Sequence, residues 1–389
     1  MPINLITASV TVLGAATAAN ANTLTIIAAG AVRVSTASNA LVNGFASDNC
    51  DVRVDGTLIG EFSAVFLTTN GVTDSHSLTV GATGLLLANT GFGAYVQGAN
   101  ASVLNYGQIG SVSNYGVLMN GASARLENFG AIYSIAGTGV SLGGVIAVLR
   151  NFGSITADNA GATAINLSNS LGNLVENYGT VSGGSASIFG SANADTIFNY
   201  GTLSGFVVLN GGFDLFNGAG GRAVTVSGGT GDDTIRGSFF DDTLGGDADN
   251  DRIIGRTGDD RLFGGTGADR LLGGGDDDLL NGGANNDLLS GGTGADQFQF
   301  SSAADIGTGA LSDRITDFKS GEDKIDLSII GVLIGLNFIA AAAFSNVAGQ
   351  LRYDVASRQL QGDTNGDSLA DFVLVLDGVA SLTAGDLIL

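Results

Sequence analysis

The sequence predicts an all-β chain: a right-handed parallel β-helix over residues 1–218, continued by a second solenoid of shorter period over 219–299 and a small β-rich C-terminal cap over 300–389. A box of Asn, aromatic, Gly, any residue and aliphatic recurs every 22–26 residues in the first half, and a nine-residue frame recurs from Gly228. The composition of 63 Gly, one Pro and 44% hydrophobic residues suits many short strands with tight corners better than disorder.

The box reads NYGQI at Asn105, NFGAI at Asn128, NFGSI at Asn151, NYGTV at Asn177 and NYGTL at Asn199, with fainter forms in DGTLI at Asp55, TGLLL at Thr83 and back toward Gly30. That period fits one coil of a parallel β-helix, with each Asn and aromatic stacked on its equivalent in the next coil. Two residues before each Asn stand Val103, Leu126, Leu149, Val175 and Ile197, which suit an inward face. One residue before three of them stand Glu127, Arg150 and Glu176, an outward ladder of alternating sign with a structural role.

The frames begin at Gly228, Gly237, Gly246, Gly255, Gly264, Gly273, Gly282 and Gly291. Their sixth position is Asp233, Asp242, Asp251, Asp260, Asp269, Asp278, Asp287 and Asp296. Their eighth is Ile235, Leu244, Ile253, Leu262, Leu271, Leu280, Leu289 and Phe298. Residues 228–299 contain 15 Asp. A flexible Gly/Asp linker would fill one phase in all eight frames by chance with a probability of only about 4 in a million.

This pattern resembles the G-G-x-G-x-D-x-U-x nonapeptide of RTX proteins, and the resemblance implies a calcium-binding parallel β-roll. Two frames make a coil of 18 residues, so Asp233, Asp251, Asp269 and Asp287 share one column and Asp242, Asp260, Asp278 and Asp296 another. Neighbours in a column lie ~4.8 Å apart and repel by ~0.9 kcal/mol in water or ~3.5 kcal/mol at an effective dielectric of 20. A divalent cation relieves this: Ca²⁺ takes hard oxygen ligands, here the aspartates and the backbone carbonyls of Gly229, Gly231, Gly258, Gly265, Gly267, Gly274, Gly283, Gly292 and Gly294. Pairing each frame with the one two later gives about six ions in the roll. The second frame, GSFFDDTLG, departs from the pattern: Phe240 stands where Gly is expected and resists φ above zero. Asp249, Asp276 and Asn285 hold the same position and tolerate that geometry.

The segment DRITDFKSGEDKIDLS, from Asp313 to Ser328, together with GDTNGDSLADFVLVLDG and the terminal DLIL, resembles the C-terminal region of serralysin-type proteins. That resemblance implies a chain exported unfolded by a type I (ABC) exporter of Gram-negative bacteria, which folds on external calcium in a secreted, extracellular or cell-surface location. Within it, Asp363, Asn365, Asp367 and Asp371 form a partial EF-hand pattern, but Leu374 stands where Glu is needed, so a polar hairpin turn is the preferred reading.

Composition narrows the function. Lys+Arg 15 against Asp+Glu 37 gives a net charge of −22, and Lys319 and Lys324 are the sole lysines, which argues against nucleic acid as a partner. The single Cys50 excludes an intramolecular disulfide framework, and no Cys/His cluster suits zinc. The N-terminal residues, apolar and without a basic n-region, read as part of the fold, and no run suits a transmembrane helix. His76 is the only histidine, so the H-E-x-x-H of a serralysin catalytic domain is absent, as is the D-P-H-E of alginate epimerases. No catalytic or organic-cofactor residue is assigned, and His76 and Cys50 read as isolated residues.

The expectation is therefore a non-catalytic structural, surface-layer, biofilm-matrix or adhesive protein. The alternative is a polysaccharide-active lyase or epimerase-like enzyme that uses the β-helix as its catalytic domain. Residues 1–47 hold one charged residue, Arg33, and an apolar end coil of this kind offers a contact for a second copy of the chain, while cell-surface polysaccharide is the other partner considered.

Overall fold

The computed structural model describes residues 23–26, 31–33, 41–43, 50–67, 75–144, 146–168 and 172–389. The chain divides into two compact units, Met1–Gly211 and Gly212–Leu389. Apart from three short strands, the apolar stretch 1–47 lies outside the described residues.

The first unit is a parallel β-helix with three strands per coil. One stack of strands includes Ser102–Asn105, Arg125–Asn128, Val148–Asn151, Leu174–Asn177 and Thr196–Asn199, all parallel and with every box Asn in register. A second stack carries the residues after the box: Ala31 pairs with Thr57, Thr57 with Leu85 and Leu85 with Gln108, so the faint upstream repeats are true coils. The expected inward column, Val103, Leu126, Leu149, Val175 and Ile197, is 0–2% exposed.

Each member of the box has its own reason to be there. The Asn side chains are buried and form a ladder: Asn105 Nδ2 donates to Asn128 Oδ1 at 2.7 Å, and the Asn128–Asn151, Asn151–Asn177 and Asn177–Asn199 bonds are 2.8 Å. An amide both donates and accepts, so each rung bonds the next until the ladder ends at Asn199, whose Nδ2 has no partner. The aromatics stack outside this corner with centroids 4.8–5.0 Å apart from Tyr106 through Phe129, Phe152 and Tyr178 to Tyr200. The box glycine permits close approach: a Cβ on Gly130, Gly153, Gly179 or Gly201 would lie 2.0–2.1 Å from the carbonyl oxygen of the preceding coil's glycine. The charged ladder also forms, with Arg150 bonded to Glu176 at 2.5 Å and 3.8 Å from Glu127, which pairs with Arg125 as well.

The second unit is a two-sided roll. Ile235, Leu244, Ile253, Leu262, Leu271, Leu280, Leu289 and Phe298 are at most 1% exposed and form its core. Most strands of the roll have six residues, such as Arg261–Thr266. Pairing with Thr243–Ala248 runs through Arg261, Leu262 and Phe263, skips Gly264 and resumes at Gly265 and Thr266, so the first residues of each turn extend the ladder. Beyond the roll, Lys324–Asp326 adds a parallel strand to Gln297–Gln299, and Leu387–Ile388 adds another to Lys324–Asp326. Gln350–Asp354, Gln359–Asp363 and Phe372–Leu376 form an antiparallel meander, tied to the roll end by the bidentate Arg314–Asp377 pair at 2.7 Å.

Asn151→Ala removes two buried ladder bonds and strands their partners, a cost of about 2–4 kcal/mol. Six of the seven tyrosines lie before residue 212, so tyrosine fluorescence during urea unfolding reports on this unit. The expected result is a clearly lowered midpoint for Asn151→Ala and little change for the exposed Asn159→Ala. Equal midpoints would show that the ladder does not stabilise the coil stack.

Candidate metal centre

Every coil of the roll contains two turns, each built by positions one to six of a frame. At position one, glycine is required by the carboxylate itself: a Cβ on Gly228, Gly237, Gly246, Gly255, Gly264, Gly273, Gly282 or Gly291 would sit 2.1–2.5 Å from Oδ2 of the same frame's aspartate. Positions two and four lie in the left-handed region. The nine glycines expected to offer carbonyls, Gly229, Gly231, Gly258, Gly265, Gly267, Gly274, Gly283, Gly292 and Gly294, all have φ between 98° and 139°. Asp249, Asp276 and Asn285 join them at position four with φ of 75°, 74° and 84°, and Phe240 does not. Asp247 and Arg256 take the same region at position two, a substitution the sequence reading did not single out.

The position-six aspartates form two columns inside the turns and are 1–3% exposed. The backbone N–H of Asp233 donates to Asp251 Oδ1 at 2.8 Å, and the pattern continues from Asp251 to Asp269 and from Asp269 to Asp287. The other column runs from Asp242 through Asp260 and Asp278 to Asp296 at 2.8–3.0 Å. Oδ1 is thus satisfied by the neighbouring coil. In contrast, Oδ2 of Asp233, Asp251, Asp260, Asp269, Asp278, Asp287 and Asp296 is buried without any hydrogen-bond partner.

Two aspartates beyond the repeat extend the columns. Asp313 Oδ1 accepts from the N–H of Asp287 at 2.7 Å, and Asp323 Oδ1 accepts from Asp296 at 3.1 Å. Asp313 is fully buried, its Oδ2 also lacks a partner, and Gly309 four residues before it has φ of 62°. The sequence reading missed it because the spacing jumps from 18 to 26 residues. The signal was there as a Gly four residues before an Asp, the offset seen in several frames.

Burial raises these carboxyls: Asp278 to about 8, Asp251, Asp260 and Asp287 to about 7, and Asp233, Asp269 and Asp296 to about 6. Backbone N–H donors oppose the shift, and neighbouring carboxylates such as Asp260 and Asp296 beside Asp278 add to it. A row of buried carboxylates with unshared oxygens has the character of a cation site. Among the described residues no three His, Cys, Asp or Glu side chains converge on one point. A cation here would rely on the aspartate Oδ2 atoms and on main-chain carbonyls, a hard-oxygen set that suits Ca²⁺ and not Zn²⁺.

The loop from Asp363 to Asp371 is different. Asp363 accepts from Gly366 and Ser368 N–H at 2.6 and 2.9 Å, and Asp371 Oδ2 accepts from Thr364 N–H at 2.6 Å. Asn365 and Asp367 also accept from local backbone N–H groups, so the loop satisfies its own acceptors. His76 is 1% exposed in a strand and is the register partner of Cys50, so the two are neighbours in the coil stack although they look isolated in sequence.

These features define a parallel β-solenoid with an RTX-type roll in its second unit. The chain matches the family described as Peptidase M10 serralysin C terminal over residues 157–389, and it belongs to that family. It is 40% identical over 94 residues to Metalloprotease AprA of Pseudomonas entomophila (strain L48), a match that covers 22% of this chain and 19% of that protein. The chain thus matches about a fifth of the length of that curated relative. It is also similar to the AlgE6R3 subunit of the Azotobacter vinelandii mannuronan C5-epimerase, with 31% identity, 38% of this chain and 78% of that chain covered, and a TM-score of 0.23.

The pKa shifts predict a pH dependence. An unfolded aspartate titrates near 3.9, whereas these groups titrate at about 6–8 in the metal-free fold. Between those values the folded roll binds more protons, so its stability falls as pH rises from about 4 to about 8. Asp326, Asp377 and Asp386 shift downward and contribute the opposite dependence near pH 4. In EGTA, the β-signal in circular dichroism is expected to be greater at pH 5 than at pH 8, with the difference removed by millimolar Ca²⁺. A β-signal in EGTA that increases toward pH 8 would contradict this assignment.

Proposed function

We propose that the chain is a secreted calcium-binding β-solenoid with a non-catalytic structural or adhesive role, which folds on external calcium after type I export. The observation that carries this reading is the row of buried aspartate Oδ2 atoms without hydrogen-bond partners. The residues that would hold the ions are the position-six aspartates whose Oδ2 lacks a partner, Asp233, Asp251, Asp260, Asp269, Asp278, Asp287 and Asp296, and the carbonyls of the left-handed turn residues. Bound calcium supplies the positive charge that lets adjacent carboxylates remain ionised in a buried column.

The size of the effect suits a switch between compartments. If a site binds with Kd near ~10⁻⁴ M, millimolar calcium stabilises it by ~1.4 kcal/mol, whereas submicromolar calcium contributes almost nothing. About six such sites would contribute roughly 8 kcal/mol if additive, comparable to the whole stability of a domain.

A non-catalytic role is favoured by how the β-helix disposes of its cations. Arg53 is bonded to Asp55, and Arg125 and Arg150 are engaged with Glu127 and Glu176 along the ladder. Arg53 and Arg125 pair within their own coils, Arg150 bridges to the coils on either side, and none of the three stands free as a base. His76, the sole histidine, is buried in a strand.

Far-UV circular dichroism and sedimentation velocity on the full chain, titrated from EGTA to millimolar Ca²⁺ with Mg²⁺ as the control, test the reading. A cooperative gain of β-structure with Ca²⁺ alone is expected. No gain would overturn the calcium assignment, and product release from alginate or pectin would overturn the non-catalytic one. Growth in mass with calcium would identify self-association as part of the role.

A further inference from the structure

The second frame differs from its neighbours in one atomic detail. Asp242 is as buried as the other position-six aspartates, and its Oδ1 accepts from Val224 N–H at 2.7 Å. Its Oδ2, however, accepts from the backbone N–H of Ser238, four residues earlier, at 2.5 Å. Two other turns do the same: Asp195 Oδ2 accepts from Ser191 N–H and Asp323 Oδ2 from Lys319 N–H, both at 2.7 Å.

The backbone conformation four residues before the aspartate sorts the turns completely. For Asp233, Asp251, Asp260, Asp269, Asp278, Asp287, Asp296 and Asp313, whose Oδ2 lacks a partner, that residue has positive φ, whether it is Gly, Asp247 or Arg256. Ser191, Ser238 and Lys319 do not. A left-handed residue here turns its N–H away from the carboxylate and leaves Oδ2 open to a cation. A residue with ordinary φ directs the N–H at Oδ2 and fills the place from within the chain.

In the 237–242 turn this second state is held by the side chain. Ser238 Oγ accepts from Phe240 N–H at 3.1 Å and contacts Asp242 Oδ1 at 3.2 Å, a local serine turn that fixes the loop. The Arg256 guanidinium lies over the Phe239 ring, 5.4 Å from its centroid, and its charge acts attractively on Asp242. The chain itself therefore supplies the donor that fills the Oδ2 position.

We propose that Ser238 is a specificity-determining residue of the roll: it closes the 237–242 turn with its own backbone N–H and withholds Asp242 from calcium. The inference rests on the calcium reading above and extends it by naming the frame that takes no ion and the residue that decides this. The roll then contains one turn whose geometry is the same with and without metal.

Counting bound calcium on the full chain by native mass spectrometry, with dissociation constants from calorimetry, tests this. Asp242→Asn is expected to bind as many ions as the unmodified chain, and Asp278→Asn at least one fewer. The double variant S238G/F240G restores glycine at positions two and four and is expected to bind one more. Loss of an ion in Asp242→Asn, or no gain in S238G/F240G when that variant shows full β-structure in calcium, would overturn the proposal while leaving the calcium reading intact. An unmodified chain that binds no calcium would overturn both.

Discussion

The roll depends on a carboxylate with one satisfied oxygen and one unsatisfied oxygen, repeated in every coil. Oδ1 ties each coil to the next through a backbone N–H, and Oδ2 points into a corner where no donor reaches it. The packing core is a single apolar residue per frame, too thin to dominate the energetics. A proton or a cation would complete the corner, and the raised carboxyl pKa values express the same lack of a partner in another form.

The first unit solves the equivalent corner with a neutral group. Its Asn ladder occupies the turn in register from coil to coil, and every interior amide both gives and receives a bond. An aspartate ladder has acceptors alone. That one chemical difference lets the interior rungs of the Asn ladder satisfy one another and leaves the Oδ2 atoms of the roll without a donor. The stacked aromatics and the Arg150 ladder reinforce the first unit from outside, and nothing comparable is required of the roll once its carboxylates are neutralised.

Much of this was legible in the sequence, because both repeats hold their phase. The aspartate columns, the buried aliphatic phase, the left-handed Asp249, Asp276 and Asn285 and the exceptional Phe240 all follow from position within a frame. Other features depend on three-dimensional closeness that a repeat pattern does not encode. The first-position glycines are fixed by the folding back of a carboxylate five residues later, and Asp313 and Asp323 join the columns across longer loops. The Ser238 hydrogen bond was invisible for a different reason: serine is compatible with either turn state, and only the backbone geometry shows which one is adopted. The pairing of Cys50 with His76 required knowing the coil register.

Hydrogen–deuterium exchange on the full chain at neutral pH, with and without calcium, tests the central claim most directly, because it reads the two units separately. The account predicts that amides in 75–168 and 172–211 are protected in both conditions, while those in the 228–299 roll are protected only with calcium. Equal protection of the roll in EGTA would contradict it, and would mean that the aspartate columns are held by packing alone.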